Sequence, residues 1–184
     1  MSWIEVESKI RVHDVNQARK RIREIAKFVK IENKVDDYYS LKHDVYPKRS
    51  LRIRRKGKKV EVNFKQWLSY VNGVHAKREV EFEVSDLKGF FDLLDDFGFK
   101  KWLSKEKRTE LYKTRDGTKI ELNHVKGLGW FIEIEILCQP KNIASARKRI
   151  MNIRRKLALP RKDIPRKDIK KIGYTKDLWN LRKR

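Results

Sequence analysis

One cysteine, two methionines, four prolines and eight glycines are all that this 184-residue chain carries of those types. The lone Cys138 cannot form an internal disulfide or build a cysteine metal site. Histidine is sparse too, and His13, His43, His75 and His124 lack the spacing of zinc ligands. No stretch rich in Gly, Ser or Pro divides the chain, so residues 1–184 are expected to form a single domain that includes the basic C-terminal segment 141–184. No apolar run approaches the roughly 18 residues of a membrane span, and Met1-Ser2-Trp3-Ile4-Glu5 lacks a signal peptide's apolar stretch. A soluble, cytoplasmic protein is the expectation. Acidic residues are the next shortage: 25 Asp and Glu stand against 48 Lys and Arg, a net charge of +23. Residues 147–184 hold 16 Lys and Arg against Asp163, Asp168 and Asp177, which puts +13 of that excess in the C-terminal segment. Such a surface attracts polyanions, nucleic acid among them. The plainer reading is a heavily solvated surface, since no nucleic-acid motif accompanies the charge.

What is present is periodicity. Hydrophobic residues make up 39% of the chain, enough for a globular core. Residues 3–12 alternate, with Ile4, Val6, Ile10 and Val12 on one face and Glu5, Glu7, Lys9 and Arg11 on the other, as a half-buried strand does. Asp14 then caps a helix expected to reach about residue 30 on the stripe Val15, Ala18, Ile22, Ile25 and Val29. Residues 51–54 and 60–65 read as a hairpin turning at Gly57. Residues 77–84 repeat the opening plan, and Ser85 or Asp86 caps a second helix that Gly98 ends. Strands follow near 101–113, 118–125 and 130–137. A third helix starts at an Asn142 cap and stops at Pro160, and a helical tail spans about 166–182. An E-x-E strand followed by a capped helix thus occurs three times, and the first two units, each followed by a hairpin, point to two related halves.

A single charged strand face is ordinary, because half-buried strands put polar residues in water. Jointly these faces say more. Glu5, Glu7, Lys9, Arg11, Arg52, Arg54, Lys65, Lys77, Glu79, Glu81, Glu121, Glu133 and Glu135 all lie opposite apolar faces that three helices can cover from one side. If the sheet curls, the charges line a cavity. Buried charges need partners. A metal–polyphosphate complex supplies both signs: carboxylates about 7 Å apart on one strand suit Mg²⁺ or Mn²⁺, and Lys and Arg suit phosphate oxygens.

These residues resemble the CYTH superfamily, the triphosphate tunnel metalloenzymes. Glu5-Val6-Glu7-Ser8-Lys9 is similar to its E-x-E-x-K hallmark, Asp36-Asp37-Tyr38-Tyr39 to its D-x-Y-[YF], and Leu51-Arg52-Ile53-Arg54 to its L-R-I-R, followed by Phe64-Lys65. Glu79-Val80-Glu81-Phe82-Glu83-Val84 resembles E-x-E-F-x-V. The run from Glu121 to Glu135, with Gly127-Leu128-Gly129 and Glu133-Ile134-Glu135, resembles L-D-x-V-x-G-L-G-x-F-x-E-I-E with Asn123 in place of Asp. Gly173-Tyr174-Thr175-Lys176-Asp177-Leu178 resembles S-Y-x-D-L. The likeness covers nearly the whole chain and is nearest to the archaeal and bacterial proteins that resemble class IV adenylate cyclase. It implies an α+β fold, an eight-stranded antiparallel β-barrel of two fused, pseudo-repeated halves with helices outside. It also implies Mg²⁺ or Mn²⁺ on Glu5, Glu7, Glu133 and Glu135, with Glu79 and Glu81 as the midpoint acidic pair. The triphosphate is expected on Lys9, Arg52, Arg54, Lys65 and Arg108, with Lys105 or Lys107 completing the blurred K-x-R of the middle strand. Lys9, Glu79 and Glu81 are the candidates for a catalytic part. The expected substrate is ATP, thiamine triphosphate or tripolyphosphate, either cyclised or hydrolysed, and related cyclases pair as dimers. The competing reading is a non-catalytic module that holds RNA or another polyanion on the basic surface. Trp67, Trp102 and Trp179 are candidate stacking residues, set against the commoner role of such side chains in a core or interface.

Overall fold

The computed structural model describes residues 3–47, 49–56, 59–158 and 164–182. Strand β1 (Trp3–Val12) turns its apolar row outward, and Asp14, accepting from Gln17 N at 2.9 Å, starts helix α1 (Val15–Ile25). The helix expected to run to residue 30 stops at Ile25, because Ala26 is already extended and opens strand β2 (Ala26–Ser40). That strand pairs with β6 (Lys100–Thr114) from Ala26↔Thr114 to Ser40↔Lys100. Its aromatic and β-branched residues suit a ladder better than a helix. Val29, placed on the helical stripe, sits at a bulge and is exposed.

Strands β3 (Leu51–Lys56) and β4 (Lys59–Val71) form the expected hairpin, whose turn at Gly57 lies outside the described residues. Strand β4 runs on to a second tight turn, Asn72-Gly73, where both residues have positive φ (51° and 82°), and β5 (Val74–Val84) returns. Asp86 rather than Ser85 caps α2 (Leu87–Asp96), and Gly98 follows at φ 77°. Strands β6, β7 (Lys119–Val125) and β8 (Gly129–Cys138) form a meander. Asn142 ends a 3-10 turn that runs directly into α3 (Ile143–Ala158); Pro160 lies outside the described residues. The expected tail helix is broken. A 3-10 turn at Arg166–Asp168 and a bridge from Ile169 to Ile10 precede α4 (Tyr174–Arg182).

The strands close into an antiparallel barrel in the order β1-β5-β4-β3-β2-β6-β7-β8, with β8 pairing β1. Each half is one strand, one helix and three strands, and the halves exchange first strands: β1 pairs with β8, and β5 with β4. Helices α1 and α3 cover the outer apolar rows of Ile4, Val6, Ile10, Ile120, Ile132 and Ile134, while α2 covers Ile53, Val60 and Val62. Burying each such side chain is worth about 1.5–3 kcal/mol, and that driving force turns the opposite, charged rows inward. Among the described residues no helix is long and apolar enough to cross a membrane.

Candidate active site

The barrel encloses a cavity of about 550 Å³. Among the described residues eleven Lys and Arg side chains and nine Glu line it, with Asp36 buried behind Arg54 and Lys105. Strand alternation brings Glu5, Glu7, Lys9, Arg52, Arg54, Lys65, Glu79, Glu81, Lys107, Glu133 and Glu135 to this one cavity. Arg108 does not reach it. On β6 the inward row is Lys105, Lys107, Thr109 and Leu111, and Arg108 points outward to Glu110 at 3.5 Å. The inward basic groups of this strand are therefore Lys105 and Lys107.

The lining is a lattice of ion pairs. Glu7 is bonded to both Lys9 and Lys77, and Glu5 to Lys65. Lys65 also lies 3.3 Å from Glu79, and Lys119 lies 3.2 Å from Glu135. Arg54 forks onto Asp36 at 2.5 and 2.9 Å. Arg52 lies 3.4 Å from Glu61 and 3.6 Å from Glu81. Lys107 donates to Glu121 at 2.8 Å and lies 3.8 Å from Glu133. Lys34, which donates to Glu121 at 2.9 Å, and Lys119, Glu61 and Asp36 are not among the site residues expected from the sequence. Lys34 and Asp36 share the inward row of β2 with Glu32 and Tyr38, a stretch beyond the expected helix to which the sequence pattern assigns no strand.

Burial disfavours every charge here, and the neighbours decide which survive. At Lys9 burial is outweighed by Glu133 and Glu7, so its pKa is raised. Lys9 therefore stays a cation at neutral pH, suited to holding phosphate and unsuited to taking a proton. At Glu7 burial is outweighed by Lys77 and Lys9, which hold the carboxyl well below its usual range. Glu5 goes the other way: burial wins over Lys65, and the carboxyl is pushed up to about 7. At Glu79 burial is overcome by Lys65 and Arg52, which lower the pKa, whereas burial and Glu61 raise that of the half-exposed Glu81.

The two ends of the tunnel differ. Segment 170–175 lies across one, held by Lys170 N donating to Lys9 O (2.8 Å), by His75 Nε2 near Lys170 O (3.4 Å) and by Tyr46 Oη on Thr175 Oγ1 (2.9 Å). Tyr174 from this segment is buried, with Lys9 and Lys105 at 5.6 and 5.8 Å from its ring centre. Burial and the charge of Glu133 hold its phenol well above the usual pKa, so it stays a hydrogen-bond donor.

The acidic residues proposed for metal do not form a ready-made cage. Among the described residues no three His, Cys, Asp or Glu side chains converge to hold an ion. Yet Glu5 Oε1 and Glu133 Oε1 are buried with no hydrogen-bond partner. Hard oxygen donors of this kind suit Mg²⁺ or Mn²⁺, and Mg²⁺ is commonly held by one or two carboxylates plus substrate phosphate oxygens and water. The donor set fits an ion that arrives with its phosphate.

A family model described as "CYTH domain" matches residues 3–167. Among solved structures, the PH1819 protein of Pyrococcus horikoshii is 28% identical, with 98% of this chain and 99% of that one covered at a TM-score of 0.76. A candidate adenylate cyclase from Vibrio parahaemolyticus is 17% identical, with 96% and 98% covered at a TM-score of 0.71. The candidate adenylyl cyclase HpAC1 from Hippeastrum, described with a dominant triphosphatase activity, is 15% identical, with 83% and 87% covered at a TM-score of 0.54. Among curated proteins no sequence matches this chain at a significant level.

Proposed function

The chain belongs to the CYTH domain family, and from that premise we propose that it is an enzyme that binds a triphosphate with Mg²⁺ or Mn²⁺ inside the barrel and breaks a phosphoanhydride bond. The observation that carries this reading is the pair of buried, unpartnered oxygens on Glu5 and Glu133 within a lattice where other carboxylates are taken by Lys or Arg. A pure polyanion-binding tunnel gains nothing from such oxygens, because they repel phosphate.

Binding requires an exchange of partners. Phosphate oxygens draw Lys65, Lys9 and Lys107 from Glu5, Glu7 and Glu133, and Arg52 and Arg54 add bidentate donors. The carboxylates so released would hold the ion, chiefly through Glu5 and Glu133. When bound, the ion supplies Lewis-acid stabilisation of the charge that develops on the phosphoryl oxygens. Lys9, protonated throughout, adds fixed positive charge to the same oxygens. Glu79 and Glu81 stand beside Arg52 and orient it.

Two attacks fit this arrangement. Water at the terminal phosphorus releases phosphate, and a ribose 3′-hydroxyl at the α-phosphorus of ATP releases cyclic AMP and pyrophosphate. Incubating the protein with ATP, thiamine triphosphate or tripolyphosphate, each with Mg²⁺ or Mn²⁺, tells them apart by product. The doubly substituted Glu5→Gln, Glu133→Gln protein should lose at least 100-fold in turnover, on the order of what one preorganised charge-stabilising group supplies. Full turnover in that variant sinks the assigned metal ligands, and no product with any triphosphate sinks the enzyme reading.

A further inference from the structure

Trp67 lies two residues beyond Lys65 on the inward row of β4 and lines the tunnel, yet it is 61% exposed. Of the other two candidate stacking residues, Trp102 also lines the cavity but is buried, its ring packed 5.7 Å from that of Trp179, and Tyr46 closes on both at 5.6 and 6.4 Å. Trp67 pairs with Lys77 on β5, and that strand leads to His75, whose ring nears Lys170 O. It therefore belongs to the end of the tunnel crossed by segment 170–175, where Ile172 also lines the cavity and is 42% exposed. Single exposed apolar side chains are ordinary. Here Trp67, Ile172 and Leu137 border one cavity whose walls are otherwise largely ionic, and of the three only Trp67 is aromatic, with Lys65 on the same strand row one step deeper.

We propose that Trp67 is a stacking platform for a flat heteroaromatic group carried by the triphosphate, so that the substrate is an organic rather than an inorganic triphosphate. This rests on the triphosphate reading of the tunnel and adds a direction to it: the ring sits on Trp67, and the phosphates run past Lys65 toward Glu5 and Glu79. An aromatic face accepts any planar base, and inorganic tripolyphosphate gains nothing from it. The indole also shields the first phosphate from water, which strengthens its attraction to Lys65 and Lys77.

The test is calorimetric titration of the wild-type, Trp67→Ala and Trp67→Phe proteins with ATP, thiamine triphosphate and tripolyphosphate, all with Mg²⁺. Trp67→Ala should weaken at least one organic triphosphate about tenfold relative to tripolyphosphate, the loss expected for one stacked base, and Trp67→Phe should recover most of it. A purine preference shows as a larger effect on ATP, an aminopyrimidine preference as a larger effect on thiamine triphosphate. Equal weakening of all three ligands, or no weakening of either organic one, overturns the platform and leaves the triphosphate reading standing. If the wild-type protein binds none of the three, the triphosphate reading falls and the platform with it.

Discussion

Glu5 is 2% exposed and bonded to Lys65, yet burial outweighs that lysine and pushes the carboxyl from 4.5 to about 7. A carboxyl raised in the fold contributes stability that is fully present below its unfolded value and is lost as pH climbs through the folded one. In the ligand-free protein that window runs from about pH 4.5 to about pH 7. Glu5→Gln, neutral at every pH, should leave the Tm almost unchanged at pH 4.5 and raise it progressively up to pH 7. The gain is bounded at roughly 3 kcal/mol by the size of the pKa rise. Calorimetric scans across that range check it, and a Tm difference that does not grow with pH would show that Glu5 is ionised and compensated throughout. The cavity-lining positions legible in the sequence, such as Glu5, Lys9 and Arg52, lie on strands with one apolar row to set the facing. Arg108, expected from the likeness to the family's K-x-R, points outward, and nothing local corrects that expectation: both rows of β6 between Ser104 and Glu110 are polar, and alternation without an apolar row cannot say which faces in.

Among the elements, the β4–β5 turn ties the barrel to the segment across its end. Gly73 has φ +82°, and a Cβ there would come within 2.6 Å of Ile169 Cγ2 and 2.7 Å of Arg154 Nη1. Ile169 bridges to Ile10, and Arg154 donates to Asn72 O at 2.9 Å. Gly73→Ala should therefore cost more than the roughly 1–2 kcal/mol of left-handed strain alone, and should displace the segment that carries Tyr174. Limited proteolysis would then cut between residues 169 and 174 at protease levels that spare the wild type; unchanged resistance and Tm would show that this turn does not hold the segment. The Asn72-Gly73 pair between Val71 and Val74 is a strong hairpin signal in the sequence. The strands expected from alternation stop at Lys65 and resume at Lys77, short of this turn on both sides. The junction of α1 and β2 is different in kind. Ile25 passes to Ala26 with no Gly or Pro between, so nothing local marks where pairing with β6 overrides helical periodicity.

At the scale of the molecule, the ligand-free barrel is neutralised from within, and this makes its two ligands interdependent. A metal ion arriving alone meets carboxylates already held by lysines: Glu7 by Lys9 and Lys77, Glu5 by Lys65, Glu135 by Lys119. A triphosphate arriving alone must separate those same pairs and leave carboxylates buried without counter-charge, a cost of several kcal/mol for each broken pair. Together the two ligands satisfy both sets, so each should raise the affinity for the other by the same factor, about 5- to 150-fold for a coupling of ordinary size. Thermal unfolding reads this directly, because a ligand at 100 times its Kd adds about 2.7 kcal/mol, or roughly 5–10 °C for a chain of this length. Mg²⁺ plus tripolyphosphate should raise the Tm by more than the sum of the separate shifts. Lys65→Met should reduce that excess by removing the Glu5–Lys65 pair that both ligands must open, and Arg108→Ala, on the outer wall, should keep it. Simple additivity in the wild-type protein would mean that metal and phosphate bind at sites that do not share these ion pairs, and the tunnel lattice would then be structural.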